Sequence, residues 1–330
     1  MTIKSSGTQL RFSEIEDEFG SNPKRSLGQY RAYSIFFTNK VIGELGNVIT
    51  GYLPLDDGIP TQGEIKFSDF YSKKLNIVVD LHSSGSSSYN VNAYTNRFAT
   101  GAYKVVGGFR PTLNTSEWQG GKKVIIHINN TFGSDGASNV NDVAVDMGSV
   151  NSSNWPTDTS FAIDVGSQGL VVGKGGKGGN GGDDKGGGED GENGTSAMRI
   201  KSGLTPTIKS GGAIIAGGGG GGGGAGAEQN DRFMFFRDYD SAGGGGGGGG
   251  AGLPAGQGGS GGNPGGGSGG SGTLTAGGNA GGGATDDESI GSNGGNGGNP
   301  GAAGGNGNGG SNRSGGDGSG KPGGNQYVTF

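Results

Sequence analysis

The sequence predicts a mainly β protein in three parts, and three observations lead to that prediction. Most of the 85 glycines lie after residue 165, and they include two uninterrupted runs of eight, Gly217–Gly224 and Gly243–Gly250. Short apolar segments separated by turn residues fill 75–172, which is typical of β-strands. Helix start and stop signals are confined to the first 74 residues. We therefore predict a small mixed module (1–74), a β-rich domain (75–172) and a glycine-rich domain (173–330).

The glycine-rich part has two possible states, a flexible coil or a bundle of polyproline II-type strands with three residues per turn. The spacing favours the bundle, since Asn293, Asn296 and Asn299 recur at every third residue with two glycines between them. In a strand with three residues per turn, these side chains lie on one edge. The other two edges are bare glycine and can approach neighbouring backbones closely.

Two breaks in this repeat predict chain reversals. Gly-Gly-Asn-Pro occurs at 261–264 and again at 297–300, and Asn-Pro favours the start of a turn. Collagen is excluded because the three-residue period breaks and the chain has only 10 prolines. We expect packed strands that reverse direction at the Asn-Pro pairs.

The first 74 residues contain the only clear helix signals. Ser13 and Glu16 match a capping box, and Gly20 predicts the end of a short helix. A second short turn or helix is expected at 26–30. The segment 63–71 closes this part with Ile65, Phe67 and a following aromatic pair.

The region 75–172 is predicted to contain strands that form an antiparallel sandwich or a short solenoid. A bridge of strand-like pieces at 195–217 then leads into the first octaglycine run. The apolar end of the chain, 326–330, is expected to fix the C-terminus to the apolar part of the molecule. The predicted strands of the β-rich region are Leu75–Leu81, Tyr103–Val106, Lys123–Ile128, Val140–Met147 and Phe161–Val165.

Composition excludes several functional classes. The formal net charge is −5, which disfavours binding driven by phosphate groups, so no nucleic-acid partner is expected. Cysteine is absent, which rules out disulfides and thiolate metal sites. The first residues contain no apolar segment of the signal-peptide type, and no run approaches 18 apolar residues. We expect that the chain does not insert into a membrane. We also expect that it is made in the host cytoplasm without a signal peptide.

Three segments at the N-terminus carry a resemblance to a known module. They are FSEIEDEFG at 12–20, SLGQY at 26–30 and IPTQGEIKFSDFY at 59–71. Together they resemble a module found at the N-terminus of many tail-fibre and virion structural proteins of tailed phages, with a long insert at 31–58. The resemblance implies attachment to the virion, through residues that we expect to be Phe12, Ile15, Phe19, Leu27, Tyr30, Phe67, Phe70 and Tyr71.

The glycine-rich part resembles a second family. A strand-like segment that ends in Ala213-Ile214-Ile215 and runs into polyglycine is similar to the receptor-binding tip adhesins of the long tail fibres of some T-even-like phages. This resemblance implies an attachment domain followed by a sandwich of polyglycine II helices, with loops that contact the receptor. The N-terminal module departs from those adhesins, so a fibre tip, a baseplate or another tail appendage all remain open as the place of attachment.

The side-chain-rich segment 228–240, between the octaglycine runs, is the main candidate for receptor contact. Its aromatic residues either form an exposed, arginine-flanked patch or fold back onto the protein. A second candidate is the acidic segment 286–288. The predicted receptor-binding residues are Arg232, Phe233, Met234, Phe235, Phe236, Arg237, Tyr239, Asp286, Asp287 and Glu288.

No enzyme or cofactor motif is found. Matches to Gly-x-Gly-x-x-Gly follow from composition, and none lies in a βαβ unit. His82 and His127 have no metal-ligand spacing, and the acidic loops at 183–192 and 286–288 are read as solvated charge rather than as a cation site. We expect no catalytic residues, no bound metal and no cofactor.

The sequence therefore predicts a phage tail-fibre or tail-appendage adhesin, located in the virion. Its expected partners are other tail or fibre proteins and a host receptor, either an outer-membrane protein or a glycan. Two alternatives stay open: a structural or decoration protein without a receptor, and an ice-binding protein with a flat glycine face. The oligomeric state, monomer or trimer, is also open.

Overall fold

A computed structural model describes residues 3–21, 25–31, 55–81, 89–90, 103–106, 123–134, 143–146, 160–200, 203–233, 236–287, 289–308, 319, 323 and 327–329. One α-helix, Phe12–Phe19, and two 3₁₀ helices, Leu27–Tyr30 and Phe67–Phe70, precede the strands. The strands are β1 (Ile77–Leu81), β2 (Tyr89–Asn90), β3 (Tyr103–Val106), β4 (Lys123–Ile128), β5 (Thr131–Gly133), β6 (Val145–Asp146), β7 (Ser160–Val165), β8 (Leu170–Val172), β9 (Met198–Ile200), β10 (Thr207–Ile208), β11 (Ala213–Ile215), β12 (Ala227–Phe233), β13 (Phe236–Ala242) and β14 (Tyr327–Thr329).

The strands outside the hairpin β12–β13 form three sheets that stack as a parallel solenoid. The first sheet has the order β10-β7-β4-β1-β3, the second β11-β8-β5 and the third β14-β9-β6-β2. Neighbours in all three are parallel, except for the antiparallel pair of β1 and β3. From β4 onward, each turn of the chain visits the three faces in the same order, so each turn buries its apolar residues against the next.

This pairing decides between the two arrangements that the sequence left open. The antiparallel sandwich is wrong, because nearly all strand pairs are parallel, and the solenoid has the observed topology. The strands predicted near 77, 103, 123 and 161 are confirmed as β1, β3, β4 and β7. The segment 195–217 is more than a bridge, since β9, β10 and β11 extend all three faces of the solenoid.

The N-terminal module covers one face of the solenoid. Ile125 of β4 and Val78 of β1 share a buried cluster with Ile15, Phe19 and other apolar residues of the module. The alternate residues of β4, including Ile126, point into the solenoid interior. Because β4 is buried on both sides, it is apolar at successive positions rather than at every second one.

The short helix of the module begins earlier than its sequence signal suggested. Its N-cap is Arg11 rather than Ser13, and the Glu14 carboxylate accepts the Arg11 backbone N–H at 2.7 Å. The predicted capping box at Ser13 and Glu16 is therefore wrong by two residues. The burial of Ile15 in the core sets the register of the helix. The predicted stop is confirmed, since the helix ends at Phe19 and Gly20 has φ of 86°.

The glycine-rich part consists of extended tracts that hydrogen-bond to one another at every third residue. Tract 1 shows the pattern: the N–H groups of Gly176, Gly179 and Gly182 all donate to tract 3, at 2.9 Å each. This period is the one expected for strands with three residues per turn. The nine tracts within the described residues are tract 1 (174–184), tract 2 (186–195), tract 3 (217–226), tract 4 (243–252), tract 5 (255–263), tract 6 (266–273), tract 7 (276–284), tract 8 (291–299) and tract 9 (302–308).

The hydrogen bonds define three layers. Tracts 2, 1 and 5 pair side by side in one outer layer, and tracts 9, 8 and 7 in the other. Tracts 3, 4 and 6 lie between them, and tract 4 bonds to six neighbours, tracts 1, 3, 5, 6, 7 and 8. The two octaglycine runs belong to tracts 3 and 4, and all of their residues are buried. A tract that is surrounded on all sides has no edge on which a side chain fits.

Each outer tract has one free edge. The predicted row of asparagines at every third residue, which we call the asparagine ladder, lies on such an edge. The side-chain oxygens of Asn293, Asn296 and Asn299 accept backbone N–H groups of tract 7 at 2.9, 2.8 and 3.2 Å. Both Gly-Gly-Asn-Pro breaks are confirmed as reversals, because the tracts on either side of each pair antiparallel. The glycine after each proline, Gly265 or Gly301, has a positive φ of 74° or 72°, which favours glycine.

The glycine lattice, which comprises tracts 1–9, is inserted at one corner of the solenoid, between its second and third faces. Tracts 1 and 2 lie between β8 and β9, and the remaining tracts lie between β11 and β14, so both insertions join the second face to the third. Strand β14 then pairs with β9, which confirms that the C-terminal segment returns to the apolar part. Turns at 251–255, 273–276 and 299–302 face the solenoid, as shown by the Ser134 N–H that donates to Leu253 O at 3.1 Å.

Candidate receptor-binding tip

The side-chain-rich connections of the glycine lattice meet at its far end, away from the solenoid. Alternate tracts run outward and back, so every second connection falls at that end. We call this end the tip. Among the described residues it contains the turn 184–186, the hairpin 228–241, the turn 263–266 and the loop 285–290.

The main predicted site is a β-hairpin rather than a loop. Strands β12 and β13 pair antiparallel from Ala227 opposite Ala242 to Phe233 opposite Phe236. Met234 and Phe235, which separate the two strands, lie outside the described residues. The structure thus places the backbones of Arg232, Phe233, Phe236, Arg237 and Tyr239 in the outer half of the hairpin, and the contacts of their side chains remain a prediction.

The register of this hairpin brings like charges opposite each other. Asp231 lies opposite Asp238, and Arg232 lies opposite Arg237. Like charges in directly opposite positions destabilise an antiparallel pair. These two like-charged pairs therefore do not favour the hairpin.

The acidic loop lies against the base of the hairpin. Thr285 and Ile290 form an antiparallel bridge, and the Ser289 hydroxyl donates to the Asp240 carbonyl at 3.0 Å. Ser289 is buried, whereas Asp286 and Asp287 are exposed. The two segments predicted as receptor contacts are thus neighbours, although Glu288 lies outside the described residues.

A third segment, the turn 184–186, joins the tip and was not among the predicted site residues. Lys185 Nζ lies 3.2 Å from Glu228 Oε1 at the hairpin base. Asp183 Oδ1 accepts the Asn263 N–H at 2.6 Å, which links this turn to the turn at 263–266. The other acidic residues of the predicted 183–192 loop are not at the tip, because Glu189 and Glu192 lie along tract 2.

The residues predicted to attach the chain to the virion mostly form the core of the N-terminal module. Ile15, Phe19, Tyr30 and Phe70 are fully buried. Phe12, Leu27 and Tyr71 are partly buried against the same cluster, and Phe67 is 42% exposed. The buried side chains give the module its shape, so direct contact with a partner is left to the exposed ones.

The titratable groups away from the tip include a buried histidine–carboxylate pair and one glutamate with a shifted pKa. The His127 ring and Asp164 are both buried, with Nδ1 and Oδ2 2.9 Å apart, and His82 lies outside the described part. A hydrogen bond from Lys4 and one from the Arg11 backbone hold the pKa of Glu14 below its usual value. The described part of the chain has no cluster of acidic, histidine or cysteine residues suited to a metal ion, and none of its helices could cross a membrane.

The geometry defines a class of protein: a β-solenoid that carries a layered glycine lattice at one corner, with side-chain-rich loops grouped at the far end of the lattice. The chain belongs to the phage tail fibre adhesin Gp38 family, whose model matches residues 83–329. It is therefore a phage tail fibre adhesin, a component of the virion tail. The first 82 residues lie outside the family match.

A comparison with solved structures finds a similarity to the gp37–gp38 adhesin tip complex of the bacteriophage S16 long tail fibre. The match has 19% sequence identity and a TM-score of 0.31, and it covers 82% of this chain and 84% of that chain. No curated protein matches the sequence.

Proposed function

We propose that this adhesin lies at the tip of a phage tail fibre and binds a host surface receptor through the tip of its glycine lattice. The observation that carries the proposal is the meeting of the hairpin 228–241, the loop 285–290 and the turn 184–186 at one end of the lattice. The receptor is an outer-membrane protein or a glycan. Arg232, Phe233, Met234, Phe235, Phe236, Arg237 and Tyr239 on the hairpin, with Asp286, Asp287 and Glu288 beside it, would contact it.

The like-charge register of the hairpin supports this role. Residue choices that weaken a hairpin persist when another function needs them, and a partner with complementary charges would relieve the repulsion. The aromatic residues around the Phe233–Phe236 pair are of the type that dominates binding energy at interfaces. Receptor contact would therefore account for the combination of like-charged pairs and aromatic residues, for which the stability of the hairpin alone does not account.

We further propose that the tracts are polyglycine II helices, which serve as the rigid support of the tip. The three-residue spacing of the hydrogen bonds and the close packing of the glycine backbones support this assignment. A site on a rigid support does not lose the entropy of ordering when it binds. The lattice would thus contribute position rather than recognition.

The opposite end of the molecule would join the rest of the fibre. The solenoid (75–172, completed by β9–β11 and β14) and the N-terminal module (1–74) lie there, and other tail or fibre proteins are the expected partners. Among the residues predicted to attach the chain to the virion, Phe67 is exposed, and we assign the contact with a fibre protein to it.

Adsorption competition tests the proposed receptor function. Purified chain is added to host cells before the phage, and we expect it to lower the rate of phage adsorption. Changing both Phe235 and Phe236 to Ser should abolish this competition and also the adsorption of phage assembled with the variant. Leu274→Ser, in the turn 273–276 at the solenoid end of the lattice, is the matched control and should compete normally.

Two results would contradict the proposal. If the unmodified chain neither binds host cells nor slows adsorption, the structural or decoration role is the better account. If the Phe235 and Phe236 variant competes as well as the unmodified chain, the hairpin does not contact the receptor. Virion assembly, measured by the fibre content of purified particles, shows whether a loss of adsorption is caused by a missing fibre.

A further inference from the structure

The two outer layers of the glycine lattice differ in charge, and the neutral layer contains an open groove. Tracts 1 and 2 carry charged residues on their outer edges, including Lys177, Glu189 and Glu192. Tracts 7, 8 and 9 consist only of glycine, alanine, serine and asparagine. Their outer face is therefore uncharged, although the chain as a whole has a formal net charge of −5.

The groove runs across this neutral layer. It has a volume of about 480 Å³, and glycines of tracts 7, 8 and 9 form half of its lining. Asn293, Asn296, Asn306 and Asn308 supply its polar side chains. Small-molecule sites are generally concave and mostly apolar, and their volumes are roughly 300–1,000 Å³. This groove has a similar volume but a more polar lining, which suits a ligand rich in hydroxyl groups.

The asparagine ladder fixes the direction of the hydrogen-bond donors in the groove. A backbone N–H can only donate, so the atoms of Asn293 and Asn296 that meet the N–H groups of Gly283 and Ala280 must be the amide oxygens. The amide NH₂ groups then face away from tract 7. Because the two residues are three apart on a strand that rises about 3.1 Å per residue, these donors repeat at roughly 9 Å.

From these observations we infer that the neutral groove binds an uncharged glycan chain of the host surface, separately from the receptor contact at the tip. An anionic ligand would be matched by lysine or arginine, and the lining residues include neither. A sugar chain presents hydroxyl groups that both donate and accept, and the flat glycine floor lets its rings lie close to the backbone. Donors fixed before binding lower the entropy lost when the glycan binds.

A pair of isosteric substitutions tests this site. Changing Asn293 and Asn296 together to Asp keeps an oxygen for Gly283 and Ala280 but replaces both donors with negative charge. On a printed microarray of neutral and acidic bacterial surface oligosaccharides, we expect the unmodified chain to bind neutral glycans, and the double variant to bind them at least about tenfold more weakly. Asn299→Asp is the matched control, because Asn299 makes the same kind of bond to Gly277 but does not line the groove.

A second variant blocks the groove without new charge. A Cβ added at Gly282 would have only Asn293 Oδ1 within 4 Å, at 3.9 Å, so we expect Gly282→Leu to fill the groove and leave the lattice intact. We expect the same loss of glycan binding, with an unchanged melting temperature. This variant decides the matter if the double aspartate variant does not fold.

Three outcomes would overturn the inference. They are the binding of no neutral glycan by the unmodified chain, unchanged binding by both groove variants, or a concentration-dependent dimer in sedimentation that Gly282→Leu abolishes. The last result would mean that a second copy of the chain occupies the groove. The Phe235 and Phe236 variant should still bind glycan, so failure at the groove is distinguishable from failure at the tip.

Discussion

The solenoid and the glycine lattice bury their interiors in opposite ways. In the solenoid, apolar side chains such as Ile126 and Ile163 fill the space between the faces. In the lattice, the buried residues of the two octaglycine runs have no side chains, and their backbone N–H groups bond to the surrounding tracts. Burial therefore selects for large apolar side chains in one region and for their absence in the other.

This difference predicts opposite consequences for a change in side-chain size. A solenoid residue made smaller leaves a cavity, whereas a lattice glycine made larger forces backbones apart. The lattice also has two kinds of position, the surrounded tracts and the free edges of the outer layers. Five predictions follow from this comparison, and the largest expected effect is in the lattice interior.

Gly220→Val should have the largest effect. A Cβ at this position would collide with the Lys177 carbonyl in the neighbouring tract, and backbone cannot move aside as a flexible side chain can. We expect the free energy of unfolding to fall by more than about 3 kcal/mol, measured by thermal unfolding of the purified chain. A melting temperature equal to that of the unmodified protein would mean that this tract is a flexible linker.

Ile126→Ala tests the solenoid side of the comparison. Ile126 is fully buried between the Val79 and Ile163 positions of the neighbouring strands. Loss of three carbon atoms should leave a cavity and lower the free energy of unfolding by about 2–5 kcal/mol. Urea unfolding monitors the change, with Ile208→Ala, at an exposed position, as the control. Equal effects of the two changes would contradict a side-chain-packed core here.

Asn296→Ala removes one step of the asparagine ladder. The Ala280 N–H loses its acceptor but lies near solvent, so water replaces part of the bond. We expect a loss of about 0.5–1.5 kcal/mol in the free energy of unfolding. Asn279→Ala, at an exposed asparagine of tract 7, is the control. If both changes are silent, the ladder contributes nothing measurable to the lattice.

Gly282→Ala should be nearly neutral, in contrast to any substitution at Gly220. The added methyl group lies on the free edge of tract 7, and Asn293 Oδ1 at 3.9 Å is the atom it meets. We expect a change within about 0.5 kcal/mol in thermal unfolding. A large destabilisation at this edge would show that the distinction between surrounded and free-edge glycines is wrong.

The smallest effect concerns pH and the half-buried Glu14. Its pKa is lowered by the hydrogen bond from Lys4 and by the Arg11 N–H, so the folded state favours the charged carboxylate. The stabilisation is present above the unfolded pKa of this carboxyl and is lost as the pH falls through the lowered folded pKa. Glu14→Gln should flatten this part of the curve of melting temperature against pH. A curve identical to that of the unmodified protein would contradict the assignment.

The sequence predicts an element of this protein where the element has a compact apolar or glycine signal, and it does not predict strands that are polar or very short. The strand at Lys123–Ile128 and the helix stop at Gly20 were found because each leaves a compact apolar or glycine signal. The hairpin 227–242 has no strand signal in the sequence, because its strands are polar and Asn-Gly, the usual turn, is absent. The short strands β5 and β8 were missed because three residues carry too little pattern.

The sequence by itself determined which glycine tracts lie inside and which lie at the surface. A tract with neighbours on all sides has no room for side chains, so the two octaglycine runs mark the buried tracts, and asparagine at every third residue marks an edge. Only the tertiary structure decided that the lattice grows from one corner of a parallel solenoid and that the hairpin meets the acidic loop at the tip. Glycine backbones all offer the same donor and acceptor, so which tracts pair depends on how the whole chain is connected.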